Sequence, residues 1–256
     1  MKKMFSLVAV LVALMLAACG GSKSSNSSND DEVEGIAINE ENFPDEGLCN
    51  ALKDYDWGMD EVITDDELEQ ITILHLIDED IRSVKGIEVF THLKELVLND
   101  NNIKELDVTS IPSLHKLYII DSHLEDLNVS GMQNLDTLVV MENQLTNLSL
   151  KGCTGLLYLD CCNNQISTLD IEDCVNMISL DARGNQLGTL RLSASQRWSK
   201  ILLQDNQLTA ETAEEIAAAL PEYQVLDIND APRIWGIDEL ISEQTKEELL
   251  RKNWTY

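Results

Sequence analysis

Six cysteines, four histidines and 46 acidic residues are the side chains here that could do chemistry. His75, His92, His115 and His123 show no pattern that would pair a base with a nucleophile. No glycine-rich phosphate loop appears, and no Cys-x-x-Cys or spaced His/Cys set offers a zinc site. Among 46 carboxylates some pair always falls close together, so an acid pair carries no information and a solvated face is the better reading. The sequence predicts no enzyme. The net charge of −28 argues against nucleic acid, whose phosphates need cations.

The start of the chain points to export. Met1-Lys2-Lys3 is a short basic region, and Phe5 to Ala18 holds no charged residue. Spanning a bilayer takes about 20 apolar residues, so this run is too short, but it suits a secretory signal. It ends in Leu16-Ala17-Ala18-Cys19, which resembles the lipobox of bacterial lipoproteins. That resemblance implies removal of residues 1–18 as a signal peptide and acylation of Cys19, because only a thiol gives the thioether. Buried acyl methylenes at ~0.8 kcal/mol each then hold the protein to the outer face of a bacterial membrane when more than one chain is attached. The implied location is extracytoplasmic, lipid-anchored and surface-exposed. Residues 19–35, rich in Gly, Ser and Asn at their start, form a flexible tether. Without Lys2 and Lys3 the mature chain has 16 basic against 46 acidic residues, a net charge of −30. Solubility and self-repulsion at a crowded surface explain this better than a basic partner or an ion store.

From Leu93 onward the chain repeats every 21 residues. LKELVLNDNNIKELDVTSIPS begins at Leu93, LHKLYIIDSHLEDLNVSGMQN at Leu114 and LDTLVVMENQLTNLSLKGCTG at Leu135, with further copies from Leu156 and Met177. Leu96 with Leu98, Leu117 with Ile119 and Leu138 with Val140 alternate with other residues, which is strand periodicity with one face buried. Leu106 with Val108 and Leu127 with Val129 close the interior from the other side, so no single unit can bury its own core. The units resemble the leucine-rich repeat, in the bacterial surface versions that read "NQLTxLD" and in internalins. The implied fold is an α/β solenoid: a right-handed leucine-rich-repeat coil with a parallel concave sheet and caps at both ends. The predicted division is a helical N-terminal cap over 36–70, the solenoid over 71–230 and a helix/strand C-terminal cap over 231–256. Within the caps, helices are predicted from Phe43 to Asp54, from Thr64, from Thr212 or Thr209, and from Thr245. A strand is predicted around Tyr223, Leu226 and Ile228, and a short final one at Asn253-Trp254-Thr255-Tyr256.

Asn101, Asn143, Asn164, Asn185 and Asn206 recur where the strand turns into the loop. An inward amide donates and accepts, so a ladder of them can satisfy the backbone of each turn. Ser122 interrupts the series and predicts a wetter or looser turn. Relatives of this kind imply a calcium loop in the N-terminal cap, with Asp56, Asp60 and Glu67 as the matching ligands. Gly58 and Glu61 depart from the pattern, and three carboxylates fall short of the six to eight oxygens calcium prefers. A capped helix-turn-helix lid is the preferred reading, with Ca²⁺ the alternative; no other cofactor is predicted. Cys153 and Cys174 take the same inward slot in adjacent repeats, where burial is preferred over a bridge; Cys161 points in and Cys162 out.

The outward strand positions carry the functional prediction. Val97, Tyr118, Ile120, Val139, Met141 and Tyr158 form an apolar patch on the concave sheet beside an acidic rim, whereas Asp107, Asn128, Ser149, Lys151, Asp170 and Glu172 make the later segment polar. A contiguous patch with two tyrosines predicts a surface that binds a protein or glycan partner. A host-directed, internalin-like adhesin, a calcium-regulated or hydrolytic envelope enzyme and a passive spacer are the rival expectations.

Overall fold

The computed structural model describes residues 34–55, 60–193, 195, 197–223 and 231–256. Cys19, Asp56, Leu226 and Ile228 lie outside them.

The N-terminal cap begins with β1 (Ile36–Ala37), followed by α1 (Glu46–Tyr55), β2 (Val62–Ile63), which pairs antiparallel with β1, and α2 (Asp65–Gln70). The first helix buries Leu48, Cys49, Ala51 and Leu52. It starts at Glu46 rather than Phe43 because Asp45 caps it. One carboxylate oxygen accepts from Leu48 N at 3.0 Å, and the other accepts from Arg82 N at 3.0 Å and Ser83 N at 3.1 Å, tying the helix to the first coil. The second helix carries a full capping box. Thr64 Oγ1 accepts from Glu67 N, and Glu67 Oε2 accepts from Thr64 N at 2.8 Å.

The coil then alternates between two sides. One side is a single parallel sheet of eight strands, hereafter the long sheet: β3 (Ile73–His75), β4 (Glu95–Val97), β6 (Lys116–Tyr118), β8 (Thr137–Val139), β9 (Tyr158–Asp160), β11 (Ser179–Asp181), β13 (Lys200–Leu202) and β14 (Arg233–Trp235). The other side holds the parallel pairs β5 (Glu105–Asp107) with β7 (Asp126–Asn128) and β10 (Thr168–Asp170) with β12 (Thr189–Arg191), joined through bridges at Ser149. The register stacks Leu74, Leu96, Leu117, Leu138, Leu159, Leu180, Ile201 and Ile234 in one buried row. Leu106, Leu127, Leu148, Leu169 and Leu190 form the opposing row, so the period of 21 residues seen in the sequence is the circumference of one coil.

The asparagines stitch each turn to the coil before it. Asn143 Nδ2 donates to Ile119 O at 2.7 Å and Val140 O at 3.1 Å, while its Oδ1 accepts from Ser122 N at 3.1 Å and Leu124 N at 2.9 Å. Asn101, Asn164, Asn185 and Asn206 repeat this cross-coil pattern. Ser122 departs from the expectation of a wet turn. It is fully buried, donates to Leu98 O at 2.8 Å and accepts from Asn101 N at 3.2 Å, because the smaller side chain still reaches one carbonyl and one N–H.

At the C-terminal end, α3 (Ala210–Ala219) is capped by Thr209, which settles the competition with Thr212. Among the described residues the long sheet ends at Arg233–Trp235, and the strand expected around Tyr223, Leu226 and Ile228 falls largely outside the described residues. Tyr223 serves as a lid: its ring meets Trp254 edge-on at 5.5 Å, and its hydroxyl accepts from Trp198 N at 2.6 Å. The last helix, α4 (Glu243–Arg251), starts before Thr245 because Ser242 is its cap. Glu214 of α3 accepts from both Ser242 N and Thr245 Oγ1, locking the two helices together. Thr255 bridges to Arg233 and Trp254 is fully buried, which closes the open end of the core.

Candidate partner-binding surface

Successive side chains of a strand point to opposite faces, so the residues flanking each buried leucine line the outward face of the long sheet. The register places His75, Val97, Tyr118, Val139, Asp160, Asp181, Leu202 and Trp235 in one outward column. A second column runs Ile73, Glu95, Lys116, Thr137, Tyr158, Ser179, Lys200 and Arg233.

Tyr158 is 46% exposed, and Tyr118, Ile120, Val139 and Met141 are half-buried. Val97 corrects the predicted patch. It stands in the outward column but is only 8% exposed, because the larger His75 and Tyr118 flank its short side chain on either strand. Two further exposed apolar residues stand at the start of the sheet, Ile73 at 52% and Ile77 at 43%, separated from Tyr118 and Ile120 by β4 with Glu95 and the buried Val97. The alternation around Leu74 and Leu76 held the signal for both, but this segment precedes the regular repeats that begin at Leu93.

Polar groups on this face are tied in place. Glu95 accepts from Lys116 Nζ at 3.2 Å and stands 3.0 Å from His75 Nε2. Burial pushes the Glu95 carboxyl up, but hydrogen bonds from His75 and Lys116 outweigh it and hold the group below the ordinary carboxylate range. Further along, the ligand atoms of Asp160, Cys162 and Asp181 lie within 4.8 Å of one another. Arg183 forks onto Asp181, its Nε 2.9 Å from Oδ1, so that carboxylate already has its cation. Cys162 was predicted to face out and stands in the outward register, yet it is buried, and desolvation followed by the Asp160 carboxylate pushes its thiol up to about 12. A nucleophilic thiol needs the opposite shift. Burial likewise raises Cys153 to about 11 and Cys174 to about 12, and both are free thiols.

In the N-terminal cap, Asp60 Oδ1 accepts from Val62 N at 3.1 Å, and Glu67 is engaged in the capping box. Both carboxylates therefore have local structural uses. A groove of about 620 Å³ lies over the shorter strand pairs, lined among others by the cations Lys151 and Arg191 and the carboxylates Asp170, Glu172 and Asp173. No helix among the described residues is long and apolar enough to cross a membrane.

Stacked parallel strands, a repeated inward leucine and an amide at every turn define a leucine-rich-repeat solenoid. The family model for the leucine-rich-repeat domain of endo-β-N-acetylglucosaminidase EndoS matches residues 43–183, more than half of the 256 residues, and the chain belongs to that family. Among solved structures, the functional domain of InlJ from Listeria monocytogenes, described as including a cysteine ladder, superposes with a TM-score of 0.63 at 22% identity. That match covers 76% of this chain and 45% of the other, so this chain spans less than half the length of the InlJ domain. The internalin InlF of L. monocytogenes strain 4b F2365 gives a TM-score of 0.53 at 22% identity, covering 88% of this chain and 72% of the other. At these identities the likeness is one of fold. No curated protein matches the sequence.

Proposed function

We propose that the protein is a lipoprotein anchored through Cys19 that displays the outward face of its long sheet to a protein partner. The apolar strip carries this reading: Tyr118, Val139 and Tyr158 lie on three adjacent strands, and Ile120 and Met141 stand two residues beyond the first two of them. On a chain of net charge −28, such a strip costs solubility, and a partner that covers it recovers the hydrophobic free energy. The tyrosines add large rigid contact area at low entropic cost. Within this reading the protein acts by binding and not as an enzyme, and the thiol on this face, buried and pushed up to about 12, is the opposite of an activated nucleophile.

The test is a crosslinking pull-down from intact cells with the mature lipoprotein, comparing wild type with a Tyr118→Ser/Met141→Ser double variant. The variant is expected to keep its thermal transition and to lose at least about 2 kcal/mol of binding, roughly 30-fold in Kd. Unchanged capture would move the binding surface elsewhere. Capture that survives protease treatment of the partner but not glycan oxidation would make the partner a glycan, and capture only from host cells would make the protein an adhesin. A Cys19→Ala variant should leave the membrane fraction and lose labelling by a palmitate analogue.

A further inference from the structure

The charge of the long sheet runs against the charge of the molecule. Its outward strand positions and the residue two beyond each strand carry four cations, Lys116, Arg183, Lys200 and Arg233, against three carboxylates, Glu95, Asp160 and Asp181. The remainder of the chain carries 14 cations and 43 carboxylates. Two of the three carboxylates already hold cations, Glu95 with Lys116 and His75 and Asp181 with Arg183, and Asp160 accepts the Cys162 amide at 3.1 Å. Among them only Asp160 has no cation.

The cations at the C-terminal end are in the opposite condition. Lys200 and Arg233 are direct cross-strand partners in the register of β13 and β14, and both are exposed. Neither forms an ion pair with a carboxylate among the described residues. Like charges directly opposite on neighbouring strands destabilise a sheet. In a chain with 46 carboxylates, a cation pair left facing itself marks a place where the missing anion comes from outside. Beside the pair, Leu202 and Trp235 are half-buried cross-strand partners, and the Arg233 guanidinium lies 5.8 Å from the Trp235 ring centre. The site thus offers two cations and an apolar-aromatic platform within two strands.

We infer that the C-terminal end of the long sheet is a subsite for an acidic protein segment, with carboxylates bound by Lys200 and Arg233 and an adjacent apolar side chain seated on Leu202 and Trp235. The platform favours a peptide over a bare anion or a polyanionic sugar, because only the peptide brings apolar surface next to its charge. This deepens the proposed function by giving the partner a charge, and it uses strands distant from Tyr118 and Met141.

The test uses the mature chain and three fluorescein-labelled peptides of 12 residues, as an order-of-magnitude length for crossing the sheet, that alternate Leu and Phe with Glu, Gln or Lys. Fluorescence anisotropy at low salt should rank them Glu, Gln, Lys, with Glu at least about tenfold tighter than Lys. Lys200→Ser/Arg233→Ser should erase that ranking, and Lys200→Glu/Arg233→Glu should reverse it, each with an unchanged thermal transition. Equal binding of the Glu and Lys peptides, or a ranking indifferent to both variants, overturns the inference. So does oligogalacturonate competing as well as the Glu peptide, which would mean that the site reads charge alone. The two readings fail separately. Loss of the cellular partner in Tyr118→Ser/Met141→Ser but not in Lys200→Ser/Arg233→Ser leaves the proposed function standing and removes the subsite, and the converse removes the central patch.

Discussion

The long sheet and the shorter strand pairs across the coil share a period of 21 residues, parallel strands and inward leucines, yet only the long sheet sets apolar residues among its outward polar ones. Facing out from the long sheet are Ile73, Tyr118, Val139 and Tyr158; from the other side, Glu105, Asp107, Asp126, Asn128 and Asp170. Both sides satisfy the same backbone and bury the same core, so nothing in the fold asks for the difference. Outward positions of a repeat are free of the folding constraint, and a systematic bias among them records another use.

The largest effect that can break this comparison lies inside the coil. Asn143→Ala leaves Ile119 O, Ser122 N and Leu124 N without their side-chain partner, and is expected to cost more than about 3 kcal/mol in chemical denaturation. Asn128→Ala, an outward amide bonded to exposed Asp107, should cost under about 0.5 kcal/mol. Similar costs at both sites would mean that the two sides are not divided into core and display.

Next comes the contrast between the faces themselves. Removing charge from the short-strand side with Asp107→Ser/Asp170→Ser should leave partner capture within about twofold of wild type, against the loss of about 2 kcal/mol set out for Tyr118 and Met141. A comparable loss from both pairs would make the whole circumference the binding surface.

A smaller effect tests the turns that join the two sides. The residue before each ladder position has positive φ: Asp100, Asp121, Glu142, Asn163, Gly184 and Asp205. Gly184 is the one glycine of the series, and an added Cβ there would meet Asn163 Oδ1 at 2.4 Å. Gly184→Ala is expected to lower stability by about 1–2 kcal/mol in thermal unfolding, with partner binding unchanged.

The smallest concerns the charges on the long sheet. The depressed Glu95 carboxyl contributes stability that is fully present above the ordinary carboxylate pKa and is lost as pH falls through its lowered folded value. Wild type should therefore exceed Glu95→Gln by a few tenths of a kcal/mol at neutral pH. The two should converge in acid. A gap that widens on acidification would show that His75 and Lys116 do not stabilise the charged form.

Much of this was legible along the chain. Leu96, Leu117 and Leu138 announce the long sheet because a strand's period of two and a coil's period of 21 are both written in sequence order. Tyr118, Met141 and Tyr158 followed, since outward positions are counted from the inward ones. Exposure was not legible in the same way. Val97 and Cys162 occupy outward register positions yet are buried, because shading depends on the neighbours' size one strand away. The caps were read less well than the coil. Asp45 and Ser242 start helices where Phe43 and Thr245 were expected. Terminal units lack the repetition that lets one copy check another.

By itself the sequence determined the repeat, its strand direction and the identity of the buried rows, because each follows from spacings of a few residues that local chemistry enforces. Only the tertiary structure decided what stands beside what. It set Lys200 against Arg233, seated Arg183 on Asp181 and sank Val97 between its taller neighbours. Those pairings are made between residues two to thirty-three positions apart, across strand registers and folded side chains whose sizes and charges have no periodicity to read.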